Sequence, residues 1–135
     1  MKPTLSILII SCLFLTTACS QTDSKNSTAE MTFKGQLDYN FGKIPYDSEG
    51  THEFVFKNTG KEALVITNVK SSCGCTIPTY SNKPVEHKKT GKISVKYDTK
   101  RTGQFHKTIT VYSNAKNSPV LLHISGEVLS PQRAE

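Results

Sequence analysis

Two cysteines separated by one glycine, Cys73-Gly74-Cys75, are the residues of this 135-residue chain best suited to chemistry. In extended backbone, residues i and i+2 lie about 7 Å apart at Cα, beyond the usual disulfide range of about 4.4 to 6.8 Å. A bond between them therefore needs a bend, which Gly74 would permit. So small a ring hardly restricts the unfolded chain, and a strained bond within it would be readily reduced. Three chemistries stay open. The pair is two small sulfurs packed at a strand end, reduced or bridged, since i and i+2 share a strand face beside Val69. Or it is a thiol-disulfide redox element, although no helix follows to lower a thiol pKa as in the familiar Cys-x-x-Cys motif. Or it is a soft-metal site: two thiolates fall short of structural zinc but suit Cu(I), with a His completing the set.

The other reactive residue types are scattered. His52 begins a strand-like segment, His87 sits in a Lys-rich loop, and His106 and His123 occupy polar strand positions. None is spaced from another as a metal-binding pair would be, and all four read as surface residues. Asp47 and Glu49 flank Ser48 ahead of Gly50 and read as solvated loop charge. There is no Gly-x-Ser-x-Gly elbow, no His-Glu-x-x-His and no Gly-rich phosphate loop. The expectation is a protein without catalytic residues and without a cofactor.

The N-terminus explains the remaining cysteines. Met1-Lys2-Pro3-Thr4 leads into eleven residues, Leu5 to Leu15, that are mostly apolar. That is short of the roughly 20 a membrane span requires but suits a signal-peptide core. Thr16-Thr17-Ala18-Cys19 resembles the lipobox of bacterial lipoproteins, in which a small residue precedes a Cys that is acylated and becomes the new N-terminus. Thr16 departs from the aliphatic residue usual there, so plain cleavage after a small-x-small sequence is the competing reading. Residues 1–18 are thus expected to be a signal peptide. Cys19 is expected to carry diacylglycerol and a fatty acyl group such as palmitate, enough chains for stable membrane attachment. Residues 19–35, lacking larger aliphatic residues from Ser20 to Glu30, read as a flexible tether. This places the protein at the cell envelope, on the outer membrane, facing the periplasm or the surface. Cys12 leaves with the leader and Cys19 is blocked, so Cys73 and Cys75 are the only thiols free to act.

Of 17 Lys and Arg, Lys2 leaves with the leader, and against 11 Asp and Glu the remainder gives a net +5. The excess is concentrated after residue 82, where ten Lys and Arg face four acids. Such a half suits anionic lipid headgroups, acidic glycans or nucleic acid, of which nucleic acid fits an exported chain least, and the partners expected of the module are envelope proteins or acidic surface polymers. Lys92 and Lys96 alternate with an apolar face, which instead suits lysines that keep strand edges from aggregating. Lys107 fits that pattern less well, because it shares parity with apolar neighbours.

These residues must be positioned by strands. From Met31 onward the dominant period is two, turn residues recur at short intervals, and no stretch has a helical period. The expected strands are Gln36 to Phe41, His52 to Asn58, Leu64 to Val69, Cys75 to Tyr80, Lys92 to Asp98, Phe105 to Ser113 and Val120 to Val128. Asn58-Thr59-Gly60-Lys61 supplies a turn. The apolar parity slips between Ile66 and Val69, as a bulge near Asn68 would cause. Thr99-Lys100-Arg101-Thr102 reads as a hairpin turn. Phe54, Phe56, Tyr97 and Phe105 fall on inward positions, and Tyr80 is the aromatic residue expected to be exposed for contact.

Phe56-Lys57-Asn58-Thr59-Gly60, Leu64-Val65-Ile66, Ser72-Cys73-Gly74-Cys75-Thr76, Gly103-Gln104-Phe105 and Tyr112-Ser113-Asn114 resemble an uncharacterised family of short bacterial lipoproteins. Tyr39-Asn40-Phe41-Gly42-Lys43-Ile44 is similar to that family's opening motif. The family's domain is similar to the immunoglobulin-like modules of the major sperm protein and Hydin group. At His87-Lys88-Lys89-Thr90 the chain departs from the Pro-Gly usual in relatives, which puts that turn's shape in question. The resemblance implies a fold and an envelope location, and no activity. The expectation is an all-β, immunoglobulin-like antiparallel sandwich of about seven strands over residues 36–129, followed by a polar tail, 130–135. It would act as a lipid-anchored binding or assembly module, with thiol-disulfide or copper chemistry at Cys73 and Cys75 as the alternative.

Overall fold

Strands with one apolar and one polar face must cover the apolar face, and here two sheets cover each other. The computed structural model describes residues 27–131. The segment expected to be a leader, 1–18, with Cys19, the expected tether up to residue 26 and the expected tail from residue 132 lie outside the described residues.

Eight strands form: β1 (Met31–Phe33), β2 (Asp38–Ile44), β3 (Thr51–Asn58), β4 (Ile66–Ser71), β5 (Thr76–Tyr80), β6 (Thr90–Tyr97), β7 (Gly103–Ser113) and β8 (Val120–Val128). One sheet has the order β1-β3-β6-β5 and the other β2-β8-β7-β4. Pairing is antiparallel except between β2 and β8, which run parallel. This is an immunoglobulin-like sandwich whose first strand is divided between the two sheets. Its core is drawn from the inward parity of each strand: Phe54 and Phe56, Ile93, Val95 and Tyr97, Ile109 and Val111, Leu122, Ile124 and Val128 are all buried. The parity slip in β4 is real, as the register shifts between Ile66 and Asn68.

The expected all-β immunoglobulin-like sandwich of about seven strands is present, and two details differ. Among the described residues it begins before residue 36, with β1 as an eighth strand. Ala29 and Met31 are small and apolar enough to enter the core, and both are buried. Asn117 then treats Met31 as a neighbouring strand would, accepting its N–H at 3.1 Å and donating to its carbonyl at 2.8 Å. The segment Thr99-Lys100-Arg101-Thr102 is not a hairpin turn. It carries the chain from β6 in one sheet to β7 in the other. Two strands that each bury one face can lie side by side or face to face. Here facing packing stacks Tyr97 on Phe105, with ring centroids 3.8 Å apart.

Strand direction divides the loops between two ends. The registers put residues 27–30 together with loops 59–65, 81–89 and 114–119 at one end, called here the near end. Loops 45–50, 72–75 and 98–102 lie at the far end.

The near end is tied by the carboxamide of Asn58, which is fully buried. Its Nδ2 donates to the carbonyls of Glu62 (2.7 Å) and Val85 (2.8 Å), and its Oδ1 accepts from the N–H of Gly60 (3.0 Å) and Glu30 (3.4 Å). Gly60 is required beside it, since a Cβ there would lie 2.0 Å from the Thr28 carbonyl oxygen. The β5–β6 loop is held to the same residue: Lys88 N–H donates to the Asn58 carbonyl at 2.8 Å. Lys88 adopts φ 66°, in the left-handed region that glycine tolerates and other residues occupy at a cost of roughly 1–2 kcal/mol.

Asn58→Ala is expected to lower stability by about 2–4 kcal/mol, because a fully buried side chain is truncated and its four bonds to backbone groups of three segments are lost together. Urea unfolding checks this, and a loss below about 1 kcal/mol would contradict it.

Candidate functional site

At the far end, Ser72 to Cys75 carries the chain from β4, an edge of one sheet, to β5, an edge of the other. Ser72 continues the β4–β7 register: its N–H donates to the Thr108 carbonyl (2.9 Å), and its Oγ accepts from the Thr108 N–H (3.1 Å). On the other side, the Cys75 carbonyl accepts from the Asp98 N–H at 2.8 Å. Between these fixed points Cys73 and Cys75 form a disulfide, with their Cα atoms 5.3 Å apart. The required bend is present. Gly74 permits it without being demanded by it, since its φ is not positive and a Cβ there would meet nothing within 4 Å. Cys75 is buried against the core while Cys73 is only partly buried, so the two residues of the bond differ in exposure.

Two neighbours bear on that pair. Lys107 shares the inward parity of Phe105 and Ile109, and the register continued through Ser72 and Thr108 places its backbone beside that of Cys73. Tyr97 pairs with Thr76. Burial pushes its hydroxyl up from 10.0, opposed by Arg101 and reinforced by Asp98, so it stays a neutral phenol.

The edge of β5 is also defined. The Cys75–Asp98 bond fixes the alternation, and Pro78, opposite Val95, falls at a position that turns its backbone away from β6. Proline has no N–H, so the open edge lacks a donor where an added strand would need one. Tyr80, expected to be exposed, shares inward parity with Thr76 and is half-buried against the core. Ile77 takes the outward position instead and is 63% exposed. The signal was available in the alternation, once Cys75 and Thr76 are recognised as belonging to the interior.

The histidines are distributed otherwise. His106 and His123, 17 residues apart in sequence, become neighbours across β7 and β8, with ring centroids 5.5 Å apart; Thr108 Oγ1 lies 3.1 Å from His123 Nδ1. His87 Nδ1 contacts the Gly60 carbonyl at the near end. His52 is stacked on Tyr39, centroids 3.5 Å apart, and edge-on to Phe54. Asp47 and Glu49 lie in the far-end loop as expected, with Asp47 3.6 Å from Lys100 Nζ. Among the described residues, no three His, Cys, Asp or Glu side chains converge as a metal site would require.

No curated protein matches this chain in sequence. Among solved structures it is similar to a protein of unknown function from Porphyromonas gingivalis W83, at 11% identity and TM-score 0.65, covering 76% of this chain and 48% of that one. It is similar to PapD-like domain 7 of human CEP192, at 10% identity and TM-score 0.62, covering 96% of this chain and 100% of that one. It is also similar to the Pseudomonas aeruginosa CupB2 chaperone, at 10% identity and TM-score 0.53, covering 72% of this chain and 55% of that one. The chain thus spans about half the length of the first and third, and at these identities the likeness is one of fold. Residues 31–128 match the model of a family described as a protein of unknown function, DUF1573.

A bond that closes so short a loop restrains the unfolded chain little. Replacing both cysteines, Cys73→Ser with Cys75→Ser, is therefore expected to cost about 1.5 kcal/mol and leave a folded domain. A variant that no longer unfolds cooperatively would contradict this.

Burial holds the His52 imidazole below its ordinary value of 6.5, with the Glu53 carboxylate acting in the opposite sense. Below about pH 6.5 the unfolded chain takes up a proton that the folded chain resists. This contribution is therefore full above 6.5 and is lost as pH falls through the lowered folded value. His52→Phe is expected to flatten that part of the stability profile in urea unfolding across pH. A profile as steep as that of the unaltered protein would count against it.

Proposed function

The chain belongs to the DUF1573 family of proteins of unknown function, and on that premise we propose that it is a lipid-anchored envelope module that recognises a protein partner with its far end. The observation that carries this is the separation of the two ends. The chain leaves toward Cys19 from the near end, while the disulfide-closed loop and exposed Ile77 lie at the other, an eight-residue strand or about 25 Å away. An anchor at Cys19 would hold the far end clear of the lipid surface. A rigid scaffold presenting a closed loop beside an exposed aliphatic side chain suits protein recognition. Pro78 argues against contact by strand addition at β5, so side chains and loops carry the recognition. The likeness to a chaperone supports a binding role at the level of fold alone.

A photo-crosslinking residue at the exposed position Thr79 is expected to give a discrete adduct with an envelope protein in intact cells. Ile77→Asp should weaken that adduct by about tenfold without changing the melting temperature. An adduct indifferent to Ile77→Asp, or none, overturns the recognition reading. Labelling of Cys19 with a palmitate analogue tests the anchor separately.

A second reading is favoured by the asymmetry of the disulfide. A thiolate of a partner dithiol would attack Sγ of Cys73, the less buried residue of the two, breaking the bond, and Cys75 would leave as the thiolate and take a proton. The partner's second thiolate would then attack its own sulfur in the mixed disulfide and release Cys73. The partner is oxidised and the pair reduced, by two electrons. Cu(I) binding would belong to that reduced form. In glutathione buffers the redox reading expects the pair to be reduced and reoxidised reversibly; a pair that stays oxidised throughout removes it.

A further inference from the structure

The charges at the two ends differ in a way that recognition at the far end does not use. At the near end, loop 59–65 contributes Lys61, loop 81–89 contributes Lys83, Lys88 and Lys89, and all four are exposed. Lys116 is exposed there too, but it is occupied by Glu30 at 3.1 Å. Of the nearby acids, Glu62 accepts from Ser27 Oγ and Thr28 N–H, both at 3.2 Å, so its carboxylate is engaged in holding the outgoing chain. Glu86 remains. At the far end Asp47, Glu49 and Asp98 face Lys100 and Arg101. Among the loops, basic charge is therefore gathered at one end, from segments more than 20 residues apart in sequence, while Lys43, Lys70, Lys96 and Lys107 lie on strands toward the other end.

We propose that this near-end surface docks on an anionic membrane surface, with Lys61, Lys83, Lys88 and Lys89 reaching the lipid headgroups. The proposal rests on the anchor reading for its geometry. Ser27 leaves the sandwich beside Lys61, held by Glu62. Eight peptide steps separate it from Cys19, which limits the gap to about 28 Å even when fully drawn out. The near end cannot move far from a membrane holding Cys19. Electrostatic attraction acts over roughly 8 Å at physiological salt, so docking draws the lysines into range and keeps the far end outward. The turn at Lys88 supports this use. The position has the backbone geometry that favours glycine, yet it carries a lysine, and its N–H and the carbonyl of Lys89 are both bonded to Asn58. The two lysines are thus presented from a fixed backbone.

The test uses the full mature chain, residues 19–135, with Cys19→Ser so that no acyl chain contributes. It is sedimented with vesicles of pure phosphatidylcholine, or with about one third phosphatidylglycerol. Binding is expected only to the anionic vesicles and is expected to disappear at high salt. Changing Lys61, Lys83, Lys88 and Lys89 to Gln should weaken it by roughly fivefold per lysine. Lys100→Gln with Arg101→Gln should leave it unchanged. Equal binding to both vesicles, or a four-lysine variant that binds as before, overturns the proposal. So does equal or tighter binding to soluble polyglutamate, which would mark an acidic polymer as the ligand. Palmitate labelling of the unaltered protein reports on the anchor independently, so failure of the anchor and failure of the docking surface remain distinguishable.

Discussion

The geometry of this protein depends on one buried carboxamide. Asn58 sits where β3 ends and bonds simultaneously to the incoming chain at Glu30, to the turn at Gly60 and Glu62, and to the β5–β6 loop at Val85. The N–H groups of Glu30 and Gly60 and the carbonyl of Glu62 lie outside the strand pairing, and the Val85 carbonyl, already bridged to the Leu64 N–H, takes Asn58 as a second donor. Burying such groups unpaired would cost more than the net gain of any one bond, so the amide is worth more than its bond count suggests. The consequence is directional. With residues 27–30 fixed at the near end, the topology leaves the β4–β5 crossing, and with it Cys73 and Cys75, at the opposite end.

The disulfide is better understood from where it sits than from how much it stabilises. It closes the crossing between two edge strands, each already bonded to a neighbour in its own sheet through Ser72 and Cys75. Those backbone bonds hold the loop, and the sulfur bridge adds rigidity. That leaves the pair free for either use: a stiff recognition loop if it stays oxidised, or an exchange site if Cys73, the less buried of the two, meets a thiolate. The choice between them is one of redox potential against the surrounding compartment.

Much of the architecture was legible in the alternation of residues such as Phe54 and Phe56 or Ile93, Val95 and Tyr97, because a two-residue period defines both the strand and its buried face. What was not legible came from distant partners. β1 is three residues long and depends on Asn117, 86 positions away. The crossing between β6 and β7 has the same parity as a hairpin, so only packing of Tyr97 against Phe105 separates the two arrangements. His106 and His123 look unrelated until the β7–β8 register makes them neighbours. At the candidate site, the Cys-Gly-Cys spacing leaves reduced thiols, a bent disulfide and a soft-metal pair open, and the bent disulfide is the one found. Residue type alone favours Tyr80 as the exposed contact beside it, whereas strand parity assigns exposure to Ile77.

The central claim is orientation: the near end faces the lipid, and the far end is presented away from it. Energy transfer from a dye on the acylated protein to a headgroup acceptor in vesicles measures this directly. The dye is placed at Lys88→Cys or at Lys100→Cys, with the Cys73–Cys75 bond left intact. The account predicts strong transfer from position 88 and weaker transfer from position 100, for a difference of roughly one strand length, about 25 Å. Equal transfer from both positions, or stronger transfer from position 100, would contradict it.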